Sequence, residues 1–226
     1  MPVQYDWIVF DADDTLFHFD DLAGLQRVFS QCGQSFSEQD YRRYKEVNQP
    51  LWVAYQNGEL SADALKRIRF EPWEASLGLS AAEINSAFLQ AMVTVCQPLT
   101  GARELLSALQ GRAQLGIITN GFSDLQQARL QHNGFDSLFS MLVISELVGV
   151  AKPDPKIFDH AKALMAHPDD KRVLMVGDNP HTDILGGQRA GFDTCWLNHH
   201  GQSCPQGVAP SLMVSNLAEL QGVLLV

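Results

Sequence analysis

Trp7-Ile8-Val9-Phe10-Asp11-Ala12-Asp13-Asp14-Thr15 is the stretch on which the reading of this chain turns. Its apolar run does not alternate with polar residues, which suits a strand buried on both faces of a parallel sheet. The run stops at a carboxylate. Residues two apart on an extended segment point the same way, so Asp11 and Asp13 can address one point beyond the sheet. Two carboxylates that close invite a metal ion, or a nucleophile paired with an acid/base. An Asp-rich strand-to-loop turn is also common as simple turn chemistry, so this stretch alone does not decide between them.

The same pattern recurs along the rest of the chain. Short apolar runs at Leu115–Ile118, Met141–Ile144, Val173–Val176 and Thr194–Leu197 each end in a polar or glycine position. Helical stretches separate them at about Gly101–Gln110, Ser123–Asn133, Pro155–Ala166 and His181–Ala190. Gly134 and Gly191 stand where C-terminal helix caps belong. This rhythm predicts an α/β fold with a doubly wound, Rossmann-like parallel sheet and a ligand crevice at the carboxyl ends of its strands. Residues 17–98 break the rhythm. They hold no convincing strand but show helix starts at Ser37 (Asp40 three on), Ser61 and Ser80 (Glu83 three on). Pro50 is expected to kink or divide one of those helices. The expected organisation is an all-helical cap of residues 17–98 inserted into a core of residues 1–16 and 99–226.

Composition limits the partners. The chain has 226 residues, 26 acidic and 16 basic, for a formal net charge of −10, with 46% hydrophobic residues. That is an ordinary globular balance. The acid excess argues against a nucleic-acid strand, which selects a basic face, but leaves room for one small phosphate ester. Cys32, Cys96, Cys195 and Cys204 are scattered, with no CxxC pair and no metal spacing, as expected of thiols in a reducing cytosol. The run Trp7–Phe10 is too short for a signal peptide or for a membrane helix of ~20 apolar residues. A cytoplasmic location without a membrane partner follows as the expectation.

The other strand ends supply the rest of the chemistry. Thr119-Asn120-Gly121 offers a hydroxyl, an amide and glycine-exposed N–H groups beside a helix start, which suits an anion as well as a helix cap. Lys152 follows the next strand in the loop Gly149-Val150-Ala151-Lys152-Pro153. The fourth strand ends in Gly177-Asp178-Asn179-Pro180-His181-Thr182-Asp183, with Asp178 at the strand tip and Asp183 early in the helix beyond. Two Asp, then Thr, then Lys, then two Asp would converge on one crevice.

That order resembles the four-motif pattern of the haloacid dehalogenase-like superfamily, whose phosphatases carry DxDx[TV], a hydroxyl residue, a Lys and GDxxxxD. The likeness covers residues 7 to about 198, and the insertion corresponds to that superfamily's helical cap. The stretches WIVFDADDTLFHFD, VNQPLWVAYQNG, GIITNGFSDLQQARL and LVISELVGVAKPDPKIFD look similar to its pyrimidine 5′-nucleotidase branch. The resemblance implies Asp11 as a nucleophile that forms an aspartyl-phosphate and Asp13 as the acid/base, which must hold a proton at neutral pH. It implies Mg²⁺, with Mn²⁺ or another divalent ion able to substitute, held by Asp11, Asp178 and the Asp13 carbonyl. It gives Thr119, Asn120 and Lys152 to the phosphoryl group and makes Asp183 the residue that orients Lys152 or a metal-bound water.

The charges agree with such a need. Asp11, Asp13, Asp178 and Asp183 carry −4 if ionised, and Lys152 returns one, leaving −3 before a phosphate dianion. The implied substrate is a pyrimidine nucleoside 5′-monophosphate such as UMP, dUMP or dTMP. A sugar-phosphate or phosphoglycolate phosphatase, or a mutase, is the alternative within the superfamily. Haloacid dehalogenases lack the acid/base Asp found here at Asp13. A phospho-Asp signalling receiver would be much shorter, uncapped, and phosphorylated on a later strand. The cap is expected to set the substrate. Phe17, Phe19, Trp52, Tyr55 and Trp73 can either stack on a base or fill the cap's own core. His18 is a weaker contact candidate, and His199-His200 reads as surface loop. GxSxG, P-loop and HExxH patterns are absent.

Overall fold

Strands β1 (Trp7–Phe10), β2 (Gln114–Thr119), β3 (Met141–Ile144), β4 (Val173–Gly177), β5 (Asp193–Leu197) and β6 (Leu212–Val214) form one sheet in the order β3-β2-β1-β4-β5-β6. Each neighbouring pair is parallel. The structure is a computed structural model that describes residues 3–225. In chain order its helices are α1 (Asp21–Gln31), α2 (Glu38–Gln56), α3 (Ala62–Ile68), α4 (Glu74–Leu77), α5 (Ala81–Val95), α6 (Ala102–Leu109), α7 (Ser123–His132), α8 (Ser145–Val148), α9 (Pro155–Leu164), α10 (Leu185–Arg189) and α11 (Leu217–Leu224). The chain divides into two compact units. One holds the stretch up to His18, Pro98–Ser123 and the stretch from Asn133 onward; the other holds Phe19–Gln97 and Asp124–His132.

The first unit is the α/β sheet with its helices. Ile8, Val9 and Phe10 are wholly buried, as a strand between two helical layers must be. Val9, Ile118, Val143 and Met175 of the sheet pack with Ile157 and Phe158 of α9 in one apolar cluster. The strand order reverses direction at β1, with β2 and β3 on one side and β4 to β6 on the other. Crevices form at such a switch point because successive connections leave in opposite directions. The register puts Phe10 beside both Ile117 and Val176, and the Asp11 N–H still donates to the Val176 carbonyl at 2.8 Å. The central strand tips therefore end close to one level.

Two local features depart from the expectations. β6 has only three residues at the sheet edge, too few for a periodic signal. The helix expected over His181–Ala190 instead opens with a π-type turn, Pro180–Ile184, before α10.

The second unit is helical. Ser37 and Ser80 close capping boxes with Asp40 and Glu83, and Ser61 caps α3, where their spacing places helix starts. Its interior is aromatic: Phe70 and Phe88 lie 5.5 Å apart, Tyr44 packs on both, and Arg69 is buried against Asn85. Pro50 does not divide its helix, since α2 runs unbroken from Glu38 to Gln56. Pro50 and Glu46 are both exposed, so the break in the helical hydrogen-bond ladder lies on the solvent side of α2. Buried Tyr44, Asn48 and Tyr55 anchor the helix on both sides of the break.

Candidate active site

Lys152 is the hub of the sheet's carboxyl edge. Its ammonium lies 2.6 Å from Asp11 Oδ1 and 2.7 Å from Asp183 Oδ1, and it donates to the Ile118 carbonyl at 2.6 Å. Lys152 and Asp183 are each 1% exposed and Asp11 is 8% exposed, so these charges interact with little water between them. The loop that carries Lys152 is fastened by Asn120, whose carboxamide accepts from the Lys152 N–H at 2.7 Å and donates to the Lys152 carbonyl at 3.0 Å. The peptide Lys152–Pro153 is cis. Thus β2 and the residue just past it hold both ends of the lysine: Ile118 at the ammonium and Asn120 at the backbone.

Asp183 reaches the site because Gly177 has no side chain. A Cβ on Gly177 would stand 2.2 Å from Asp183 Oδ2 and 2.4 Å from its Cγ. The Asp183 carboxylate also accepts from the Asn179 N–H at 3.0 Å and the Thr182 hydroxyl at 3.2 Å. Asn179 in turn caps the turn that follows, accepting from the N–H groups of His181 and Thr182. A π-type turn in place of a regular first helical turn is thus matched by side-chain hydrogen bonds.

Asp11, Asp178 and Asp183 each offer a carboxylate oxygen, all within 4.8 Å of one another. Burial pushes the Asp11 carboxyl up to about 7; Lys152 opposes the rise, while Asp183 and Asp13 add to it. Burial likewise pushes Asp178 up to about 8, helped by Asp183, Asp11 and Asp14. Burial pulls the Lys152 pKa down, but Asp11 and Asp183 outweigh it, so the ammonium holds its proton more firmly than a free lysine. One cation therefore serves three crowded carboxyl groups. A set of hard oxygen donors in repulsion fits a small divalent cation.

Thr119, Asp13 and Asn120 were also expected at the site. Thr119 ends β2 and is 1% exposed, its hydroxyl accepting from the Gly121 N–H at 3.1 Å. Asp13 is half-buried in the turn after β1, close enough to act on Asp11. That turn is tied by the Asp14 N–H to the Phe17 carbonyl at 2.7 Å, and Asp14 adopts φ 52°, a left-handed conformation that Asp tolerates. Asn120, read from sequence as a phosphate contact, has its carboxamide directed to Lys152.

The aromatic candidates mostly fill cores. Phe17 is wholly buried 5.7 Å from Phe135; Trp73 is buried beside Tyr44; Trp52 stands edge-on to the buried Tyr55. Phe19 is partly exposed. His18, His199 and His200 are exposed and line a 570 Å³ cavity of the α/β unit together with Asp14, Asp178 and Asn198. His199 Nε2 lies 2.9 Å from the Asp14 carbonyl, so it is tied to the turn after β1.

Sequence reasoning left three contributors without a role. Thr15 contacts Asp178 through its hydroxyl, Trp196 donates its indole N–H to the Asp178 carbonyl at 2.8 Å, and Asn179 holds Asp183. The position of Thr15 within the first motif was a usable signal. Trp196 gave none, because a tryptophan in an apolar strand reads as core.

Comparison with known proteins agrees with this geometry. A family model of haloacid dehalogenase-like hydrolases matches residues 5–191. The chain is 51% identical over 222 residues to the pyrimidine 5′-nucleotidase YjjG of Escherichia coli, covering 98% of this chain and 99% of that one. It is 31% identical over 206 residues to the pyrimidine 5′-nucleotidase PynA of Streptococcus pneumoniae, covering 87% and 85% respectively. The magnesium-bound structure of the HAD-hydrolase YfnB from Bacillus subtilis matches with a TM-score of 0.84 at 29% identity, covering 98% of this chain and 99% of that one.

Proposed function

Because this chain belongs to the haloacid dehalogenase-like hydrolases, we propose that it hydrolyses pyrimidine nucleoside 5′-monophosphates to nucleoside and phosphate through an aspartyl-phosphate on Asp11. The observation that carries the substrate class is the 51% identity to a pyrimidine 5′-nucleotidase along nearly the full length of both chains. The mechanism is supported by Asp11 at the tip of the central strand, 2.6 Å from a buried ammonium.

Asp11 attacks phosphorus, and the ester oxygen leaves with a proton from Asp13. Asp13 then takes a proton from the water that attacks the aspartyl-phosphate, which returns Asp11 and releases phosphate. Lys152 balances the carboxylates and follows the negative charge as it moves from Asp11 to the phosphoryl oxygens. Thr119 donates to those oxygens, and Asn120 and Asp183 keep Lys152 in place. Mg²⁺, or Mn²⁺ in its stead, would be held by the Asp11 and Asp178 carboxylates, two of three acids whose oxygens lie within 4.8 Å of one another, together with the Asp13 carbonyl, and would supply positive charge toward the phosphate dianion.

The partner is then a small phosphate monoester. Neither a nucleic-acid strand nor a membrane is needed, and among the described residues no helix is long and apolar enough to cross one. Cys32, Cys96, Cys195 and Cys204 form no disulfide with one another, which suits the cytoplasm.

The test is a phosphate-release screen with Mg²⁺ over ribo- and deoxynucleoside monophosphates, sugar phosphates and phosphoglycolate. UMP, dUMP or dTMP should be preferred, and Asp11→Asn should be inert while folded. Equal rates on purine nucleotides, or a preference for sugar phosphates, would overturn the substrate class. Turnover by the Asn variant would overturn the nucleophile.

A further inference from the structure

Asp178 stands one residue beyond β4, where the regular sheet ladder has ended. Its backbone is nevertheless held on both sides, by side chains instead of neighbouring strands. The Thr15 hydroxyl accepts from the Asp178 N–H at 3.1 Å and lies 3.4 Å from Asp178 Oδ1. On the other side the Trp196 indole N–H donates to the Asp178 carbonyl at 2.8 Å. Thr15 follows β1 and Trp196 belongs to β5, the two strands that flank β4. The register places Trp196 beside Gly177, one residue before the carbonyl it holds.

Trp196 is 1% exposed and packs with Ile184 and Val208. That packing accounts for an apolar ring at this position but not for an indole. An indole nitrogen is a donor only, and a buried one needs an acceptor. The acceptor here is the backbone of one carboxylate in the cluster within 4.8 Å.

We propose that Trp196 is a positioning residue for Asp178: its N–H fixes the peptide from which the Asp178 carboxylate reaches the divalent cation. The inference rests on the reading of Asp178 as a cation ligand. Groups that orient a ligand from behind typically alter metal affinity by about 10- to 100-fold when removed. Chemistry at saturating cation is much less affected, because Trp196 touches neither the phosphate nor Asp11.

Trp196→Phe retains an aromatic ring and removes the donor. Calorimetric titration with Mg²⁺ should show the Kd raised by about 10-fold or more, matched by a similar rise in the Mg²⁺ concentration for half-maximal rate. The kcat at saturating Mg²⁺ should stay within about threefold of wild type, a split that loss of packing alone would not produce. A Kd within twofold of wild type in folded Trp196→Phe overturns the inference. Should the variant fail to fold, benzothienylalanine at position 196 replaces the ring N–H by sulfur with little change in shape, and an unchanged Kd there overturns it equally. Mg²⁺ that does not bind the wild-type protein would refute the cation reading itself. Equal binding by wild type and variants refutes only the role of Trp196.

Discussion

Replacing Gly177 by alanine tests the site through space alone. Gly177 has no positive φ, so the backbone accepts an L side chain, and the whole effect comes from the new methyl group. That methyl would stand 2.2 Å from Asp183 Oδ2, whereas ordinary contact begins near 3.4 Å, so the carboxylate must retreat by about 1.2 Å. Asp183 cannot retreat freely, because it is held by Lys152 at 2.7 Å, the Asn179 N–H at 3.0 Å and the Thr182 hydroxyl at 3.2 Å. Overpacking costs roughly 1–3 kcal/mol, and stretching a buried charge-assisted hydrogen bond adds roughly 1.5–3 kcal/mol. About 2.5–6 kcal/mol is thus expected, or roughly 5–24 °C in Tm for a chain of this size. Scanning calorimetry of the metal-free protein reads it. A displacement near 1 Å at a reacting centre costs about 100-fold in rate, so turnover should fall accordingly. Gly222→Ala is the control: it lies in α11 with nothing within 4 Å of its Cβ, and should raise stability by about 0.5–1 kcal/mol. Gly177→Ala with wild-type Tm and turnover would refute the close approach on which the reasoning depends.

Three further outcomes are expected. Lys152→Met leaves Asp11 and Asp183 buried without their cation and should lower stability by about 3–5 kcal/mol in urea titration, more at pH 9 than at pH 6; stability equal to wild type would refute the coupling. Carboxyl pKa values raised to about 7 and about 8 mean that the folded metal-free protein retains protons the unfolded chain has lost, so its stability should decline as pH rises from about 4 through 8. Mg²⁺ competes with those protons, so its thermal shift should widen between pH 6 and pH 9, and a shift independent of pH would contradict this. Pro50→Ala restores an N–H for the Glu46 carbonyl and should stabilise α2 by up to about 3 kcal/mol, less roughly 0.4–1 kcal/mol from a looser unfolded chain; an unchanged or lower Tm would refute it.

Much of this was legible because strand tips are where apolar runs stop. Asp11, Thr119 and Asp178 each sit one or two residues beyond the end of such a run, and the parallel register brings those ends together. Lys152 lies farther from its strand, and only its place in the motif order marked it. What stayed hidden depends on partners distant in sequence. Asn120 suits an anion and a carbonyl equally by type, and only the fold turns it toward Lys152. Trp196 was concealed because its ring is core while its nitrogen is not. Pro50 does not divide α2, and it lies with Glu46 on the exposed side of that helix.

The ammonium of Lys152 has three hydrogens, and Asp11, Asp183 and the Ile118 carbonyl accept all of them. An arriving phosphoryl oxygen can reach it only by displacing one of these. Binding at that point is an exchange, and its gain is the difference between two similar bonds. If Asp11 is the nucleophile as proposed, the balance would change once its oxygen bonds to phosphorus, because an esterified carboxylate is a poor acceptor and the lysine would turn toward the phosphoryl group. On the proposed mechanism, Lys152 would then grip tightly only while the phosphoryl group is being transferred. When Asp11 regained its charge the ammonium would return to it, leaving free phosphate with little to hold it.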